Sequence, residues 1–591
     1  KRRKLRVAIV TENMLPKVDG VTRTLARLLE HLNAEGHDAM VLGPETGVRE
    51  YAGHPVVGTF GLPLIIYPGL KLNFTRPRFI RRLHQFKPDV VHFVDPIWLG
   101  AQMLPIVQKW LPDVPCVASY HTNLPTYAAL FGMPWLESTM WKLTRALHSR
   151  CELTFCPSES TRSMLLEKGL KNVLIWSRGV DTSLFTPAAR DENLRAGWGC
   201  SPADAEQRRH HEAAVQQAGV SAMAQKLGLT MSGPNGKRDE SFIKTPVASP
   251  ELSPPPAYES LAGIPDLPLN GFALPPPAFV HQIEKNNLID ASASSGEGKT
   301  VLLYVGRISW EKNIRLLIEA FKLLPPSVRS KAKLVVVGDG PARADLTRLS
   351  KKLGLDVAFM GHQKGTRLAA MYASSDISAF PSHTETFGQV VLEALACGLP
   401  VVGLHAQGTS DLVTHGRTGL LLDVAKAAKG RGVPGSPPRV AVEGRPLMQR
   451  SATDGRSPSM SPASKPARTT PGLPVPIPEP AEFATAMAAG TSAFTSCARS
   501  YSMHLERLIL DRKLRMTMGR QAQLEAGRRT WWDAMDAVVC GYEEAIARRS
   551  TPRSQRLSDE ELERLRDRQS KQAPLTGGWV KLAVLLLLIL F

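Results

Sequence analysis

At 591 residues the chain is too long for one core, and its 43% apolar share is ordinary for a soluble protein. A net charge of +19 favours anionic partners such as nucleotide phosphates, acidic lipid surfaces or nucleic acid, without choosing among them. The seven cysteines form no CxxC pair, which argues against a zinc site or disulfide framework and for reduced thiols in a cytosol-facing chain.

The opening KRRKLRVAIV has no apolar signal region, so no secretory signal peptide is expected. RVAIVT (6–11) is a short apolar run, and GVTRTLARLLEHLNAEG after it carries helical spacing that stops at Gly36. DAMVLG, PDVVHFVD, PCVASYH and ELTFCPS follow, each succeeded by a helix-compatible stretch. Apolar strands alternating with helices predict a parallel sheet covered on both faces. TRPRFIRRLHQF (75–86) reads as a helix packed on that sheet, with a basic face toward acidic lipid as the sharper alternative.

Residues 191–298 lose the rhythm, and Pro-rich runs such as SPELSPPPAYES mark an unstructured insert or linker. SSGEGKT (294–300) resembles a phosphate loop, but Ala293 stands where glycine is needed and the run precedes a strand instead of following one. Alternation restarts over 299–424 with TVLLYVGR, AKLVVVGDG, DVAFMG, DISAFPS, LPVVGL and TGLLLD, a second α/β domain. A Ser/Pro/Arg stretch over 425–480 predicts a second disordered insert, and helical patterns return over 481–550. Residues 551–578 are so charged that they read as a solvated helix or a stalk. WVKLAVLLLLILF (579–591) is nearly all apolar, though its 13 residues fall short of the ~20 that span a bilayer. It predicts a cytosol-facing protein held at a membrane by its C-terminal tail.

HTETFGQVVLEALACGLPVV (383–402) carries the densest chemistry. Val390, Val391, Ala394 and Leu395 predict a helix face, and Glu385 precedes a helix start whose free amides suit a phosphate. Glu393 lies about two turns in. Carboxylates beside a phosphate make sense if they accept hydrogen bonds from sugar hydroxyls, although Glu385 as a cap and Glu393 as a solvated side chain remain alternatives. Arg307 follows the strand in VLLYVGRISWEKN and Lys312 opens the next helix, where two cations can neutralise a diphosphate. There is no Asp-x-Asp to seat a catalytic metal, so fixed cations are expected to do that electrostatic work and no metal or cofactor is expected.

ETFGQVVLE, the Arg307/Lys312 spacing, VVVGDGPAR and TGLLL resemble the retaining glycosyltransferases of family 4, which have the GT-B fold: two Rossmann-like domains facing across a cleft. LPKVDGVTRTLARLL, PDVVHFVDP, SYHTN and GVDTSLFTP agree in style and order, and the wording is nearest the sulfoquinovosyltransferase and GDP-mannose-dependent α-mannosyltransferase branch. The resemblance covers about 6–190, 300–424 and 482–548. It implies an acceptor domain over 1–190, a donor domain over 299–424, and C-terminal helices over 481–550 that complete the fold.

It further implies that Glu385, Phe387 and Gly388 hold the donor sugar and Glu393 its ribose. Arg307 and Lys312 clamp the diphosphate, Gly20 lets it approach, and His121 faces the reacting sugar. Asp181 and Asp411 are weaker candidates that also suit turns or caps. The implied reaction moves a hexosyl group, with retention, from a GDP-mannose or UDP-sugar type donor to a hydroxyl acceptor such as a lipid, with no nucleic acid involved. The alternatives are a nucleotide-sugar epimerase or hydrolase on the same fold, or a non-catalytic scaffold.

Overall fold

RVAIVT forms β1 (Arg6–Thr11), and its apolar residues serve two cores: Val7 and Ile9 pack on one side of the sheet, Ala8 and Val10 on the other. The structure is a computed structural model that describes residues 2–16, 20–63, 71–130, 134–200, 298–429, 483 and 486–550. After β1 the first lobe has β2 (Asp38–Pro44), β3 (Glu50–Tyr51), β4 (His54–Thr59), β5 (Gly61–Pro63) and β6 (Lys71–Asn73). β7 (Val90–Val94), β8 (Cys116–Ser119), β9 (Leu153–Cys156) and β10 (Val173–Ile175) follow. The sheet order is β10-β9-β8-β7-β1-β2-β4-β3, parallel apart from the β3–β4 pair, while β5 and β6 pair separately.

The second lobe holds β11 (Thr300–Val305), β12 (Ala332–Val337), β13 (Val357–Gly361), β14 (Ile377–Phe380), β15 (Val401–Leu404) and β16 (Gly419–Leu422). All its pairs are parallel, in the order β13-β12-β11-β14-β15-β16. In both sheets the strand order reverses beside the first strand, between β1 and β7 and between β11 and β14. Chain leaving the carboxyl ends of those strands diverges and opens a crevice, where open α/β sheets take their ligands. Arg307 follows β11, the 381–388 loop follows β14, and His121 follows β8.

The chain crosses between lobes twice. Beyond β10, residues 192–197 form a short helix capped by Asp191, whose carboxylate accepts from Asn193 N at 2.8 Å. Arg195 is buried and donates to Ser374 O, Asp376 Oδ2 and Lys299 O at 2.9, 2.9 and 3.0 Å, and Trp198 and Cys200 enter the second core. The first residues expected in an insert therefore belong to the second lobe's packing. At the far end the Trp531–Ser550 helix returns to the first lobe. It buries Met535, Val538, Val539 and Tyr542 beside Leu25, Leu28 and Leu29 of the Gly20–Ala34 helix.

The expectation of a cytosol-facing protein attached to a membrane by a C-terminal tail is corrected here. Among the described residues no helix is long and apolar enough to cross a membrane. The last described helix spends its apolar side on the first lobe's core and carries Asp533, Asp536, Glu543 and Arg548 elsewhere. Residues 579–591, the stalk expected over 551–578 and most of the inserts expected over 191–298 and 425–480 lie outside the described residues. The basic helix Pro77–Phe86 packs on the first sheet through buried Phe79 and Leu83. Lys299, at the end of the phosphate-loop look-alike, pairs with Asp356 at 3.3 Å.

Candidate active site

In the second lobe the turn after β11 is held by close backbone packing. A Cβ on Gly338 would lie 1.8 Å from Gly306 O, and one on Gly340 2.4 Å from Ile308 O, so the GDG loop requires glycine to lie against the Arg307 turn. Arg307 is exposed at the carboxyl end of β11, and its carbonyl accepts from Tyr304 OH at 3.0 Å. Lys312 ends a short 3-10 turn and directs its ammonium to Glu385 Oε1 at 2.6 Å and Thr384 Oγ1 at 3.2 Å. The Lys312 cation therefore meets a carboxylate of the proposed sugar site.

Gly388, at φ +90°, caps the Gln389–Ala396 helix in a backbone conformation that disfavours a side chain. Phe387 just before it is buried. The helix is apolar nearly all round, because Val391, Leu392, Ala394 and Leu395 are buried, and Glu393 lies among them at 1% exposure. Its carboxylate accepts from Tyr372 OH at 3.2 Å and from Arg23 Nη1, in the other lobe, at 3.0 Å. Burial pushes the Glu393 carboxyl up to about 7, with Arg23 and Tyr372 opposing.

In the first lobe Gly20 opens the Gly20–Ala34 helix, and a Cβ there would meet Arg178 Nη1 at 3.0 Å. His121 is held by its backbone: its N–H donates to Asp95 Oδ1 at 2.7 Å and its carbonyl accepts from Thr386 Oγ1 of the second lobe at 3.0 Å. Its imidazole stands edge-on to Trp176 at 5.0 Å, and neither ring nitrogen has a hydrogen-bond partner. Burial, and then Arg178 and His92, hold it neutral, well below the usual histidine range. Asp95 adopts φ +46°, uncommon for a residue with a side chain, and also accepts from Thr122 N at 3.2 Å and Thr122 Oγ1 at 2.8 Å. Burial raises Asp95 to about 6 against those hydrogen bonds and Arg178.

The lobes are also stitched beside this crevice. Ser158 Oγ donates to Thr386 O at 3.0 Å, Ser160 N to Asp411 Oδ1 at 2.9 Å and Gln389 Nε2 to Gly179 O at 3.1 Å. Asp411 is thus an interlobe acceptor, and Asp181 caps its own turn by accepting from Ser183 N and Leu184 N at 3.1 and 3.2 Å.

The structure joins Lys312 to Glu385 directly, and links the His121 loop to the Glu385–Gly388 loop and Gly20's helix to Glu393 by interlobe contacts. Arg307 lies at its strand end, after β11. Sequence reasoning missed Arg23, Asp95, Arg178 and Tyr372. A charged residue inside the run WSRGVD and an aspartate ending FVD were the available signals for two of them.

Residues 18–184 match the model described as Glycosyltransferase Family 4, and residues 286–429 match Glycosyl transferases group 1. A GDP-mannose-dependent alpha-mannosyltransferase of Mycobacterium tuberculosis (strain CDC 1551 / Oshkosh) is 30% identical over 428 residues, covering 71% of this chain and 85% of that protein. Sulfoquinovosyl transferase SQD2 of Arabidopsis thaliana is 26% identical over 427 residues, 71% of this chain and 64% of that one. Among solved structures, sucrose-phosphate synthase from Thermosynechococcus elongatus shares the fold with a TM-score of 0.52 at 15% identity, covering 92% of this chain and 100% of the other. Two parallel sheets opening their strand ends on one crevice, and a relative alike over most of both chains, lead to one assignment: this chain belongs to glycosyltransferase family 4 and is a glycosyltransferase of the GT-B fold.

Proposed function

We propose that the chain moves a hexosyl group, with retention at the anomeric carbon, from a nucleoside diphosphate sugar to an acceptor hydroxyl. GDP-mannose is the first sugar donor to test, because a relative at 30% identity is named for it, and a UDP-sugar is the second. The reading rests above all on the paired charges Lys312–Glu385 and Arg23–Glu393 at the crevice, which supply both kinds of group that such a molecule needs.

Carboxylates accept hydrogen bonds from hydroxyls, so Glu385 suits the sugar and Glu393 the ribose. Phe387 and Gly388 shape the floor between them. Lys312, paired with Glu385, and Arg307 at the end of β11 face the diphosphate; Gly20 lets it approach the first lobe. In the reaction the bond from the anomeric carbon to the outer phosphate oxygen breaks. The acceptor oxygen bonds to the same face, and its proton passes to the departing phosphate oxygen. The protein's part is to stabilise negative charge gathering on that oxygen, to keep neutral His121 beside the sugar as a hydrogen-bonding group, and to exclude water between the lobes.

The experiment offers GDP-, UDP- and ADP-sugars with hydroxyl acceptors, a lipid extract among them, with and without a chelator. A transferred sugar with the same anomeric configuration as the sugar donor, read from the one-bond carbon–proton coupling at its anomeric centre, is the expected product. Free sugar alone, an epimerised nucleotide sugar, or no turnover with nucleotide still bound would each replace this reading with a hydrolase, an epimerase or a scaffold.

A further inference from the structure

We infer that Arg23, on the first lobe, is a positioning residue for the second lobe's Glu393, so that both lobes contribute to the grip on the nucleotide's ribose. The inference rests on the function proposed above, in which Glu393 reads that ribose. It adds the residue that sets the carboxylate's orientation from across the crevice.

Glu393 lies on the Gln389–Ala396 helix among buried Val391, Leu392, Ala394 and Leu395. Its two oxygens are held from different lobes. Tyr372 OH donates to Oε2 at 3.2 Å from the second lobe's own core. Arg23 Nη1 donates to Oε1 at 3.0 Å from the Gly20–Ala34 helix. A carboxylate oxygen accepts through two lone pairs, so each keeps a second one for a ribose hydroxyl. The ribose diol presents two neighbouring hydroxyls, and two oxygens fixed from opposite sides are a match for them. Gly20 and Arg23, three residues apart, share one side of their helix, so the partner of Glu393 stands beside the position proposed to admit the diphosphate.

As a stability device the pair is poor. An apolar residue at 393 would suit a helix buried nearly all round, and replacing a buried ion pair with packed apolar groups is often neutral or stabilising. Burial raises the Glu393 carboxyl to about 7, against the charged form that the pair requires. The Arg23 side chain is 46% exposed and that of Glu393 only 2%, so the guanidinium reaches inward from solvent to an acid that cannot move out to meet it. Arg27, one turn further along the same helix, pairs with Glu30 and Asp181 of its own lobe at 3.0 and 3.9 Å. Arg27 is thus a control of equal charge on the same helix that does not touch Glu393.

The test is calorimetric titration of the full chain and of Arg23→Gln, Arg23→Lys and Arg27→Gln at pH 7 and pH 9, with thermal melts as the fold control. The probes are GDP and UDP, each beside its dideoxy analogue lacking both ribose hydroxyls. Wild type should bind one diphosphate about tenfold or more tightly than its analogue, as hydrogen bonds to a charged acceptor would give. Arg23→Gln should cut that preference below about threefold at both pH values, Arg23→Lys should restore part of it, and Arg27→Gln should keep it. At pH 9, well above a carboxyl raised to about 7, a loss reports orientation and not ionisation. A preference retained in Arg23→Gln, an equal loss in Arg27→Gln, or a loss at pH 7 that vanishes at pH 9 would overturn the inference. If wild type binds a diphosphate without any such preference, the ribose assignment of Glu393 fails and the inference falls with it. If wild type binds neither diphosphate, the proposed function itself fails, a result legible without the variants.

Discussion

Arg23 Nη1 lies 3.0 Å from Glu393 Oε1, tying the first helix of one lobe to a carboxylate buried in the other. Arg23 is about half exposed and Glu393 almost wholly buried, so the pair sits at the lip of the crevice with its acid inside. The ionised acid is the stronger acceptor for ribose hydroxyls, and with the carboxyl already raised to about 7 that form is incomplete at neutral pH. Arg23→Gln removes a charge that favours ionisation, so Glu393 should rise further. The acidic limb of sugar-donor KM against pH should move up by about one unit. A KM profile over pH 6–9 identical to wild type would show that Glu393 does not read the ribose.

The same carboxyl has a signature in stability. Unfolded, it releases its proton near 4.5; folded, near 7, so between these values the folded state holds a proton that the unfolded state has lost. Its contribution is full below the lower value and declines as pH rises through that window. Glu12, also raised to about 7, acts in the same direction, and Asp95 does so between 3.8 and about 6. Glu393→Gln should therefore gain thermal stability relative to wild type at pH 8 and little at pH 4.5. Melting curves at the two pH values check it, and an equal shift at both would contradict the assignment.

Lys312 and Glu385, 2.6 Å apart, are expected to fail separately. Lys312→Ala should lower kcat about 100- to 1,000-fold, the range for removing one group that stabilises developing negative charge. Glu385→Gln should lower it comparably, because the amide brings donors where the sugar needs an acceptor. Both side chains are partly exposed, so melting temperatures should stay close to wild type. Initial rates of nucleotide release decide, and near-normal rates in either variant would mean that the site lies elsewhere.

Gly179→Ala tests the interlobe crossing. A Cβ there would fall 2.1 Å from Trp531 N and 2.3 Å from Thr530 C, and backbone cannot yield as a flexible side chain would. The start of the Trp531–Ser550 helix must shift, at a cost of about 3 kcal/mol, read from urea unfolding. A loss below about 1 kcal/mol would mean that the helix docks more loosely than these contacts require.

The strands were legible because their central runs, such as VAIV (7–10) and LVVV (334–337), are apolar throughout, as strands covered on both faces must be. The helix after Glu385 was legible in place but not in burial. Val390, Val391, Ala394 and Leu395 suggested a single apolar face, yet tertiary packing also covers Leu392 and Glu393. Lys312 looked like an unattached clamp because sequence spacing cannot show that a carboxylate 73 residues later folds onto it. The same blindness hid Arg178 and Arg23, whose partners come from other elements. WVKLAVLLLLILF suggested an anchor by composition, and helices elsewhere near that end proved to use their apolar sides on protein. Which lobe would receive the final helix depends on a chain crossing that local periodicity does not encode.

That crossing has a consequence during synthesis. His92, in the middle of the first sheet, is bonded to Tyr542 at 2.7 Å across 450 residues of chain. A ribosome adding roughly 5–20 residues per second takes about 20 to 90 seconds to bridge that interval. Meanwhile the face formed by Val90, Val117 and Phe155 stands uncovered, although its strands have emerged. That part of the first lobe's core therefore stays open to solvent until the Trp531–Ser550 helix leaves the exit tunnel and closes it.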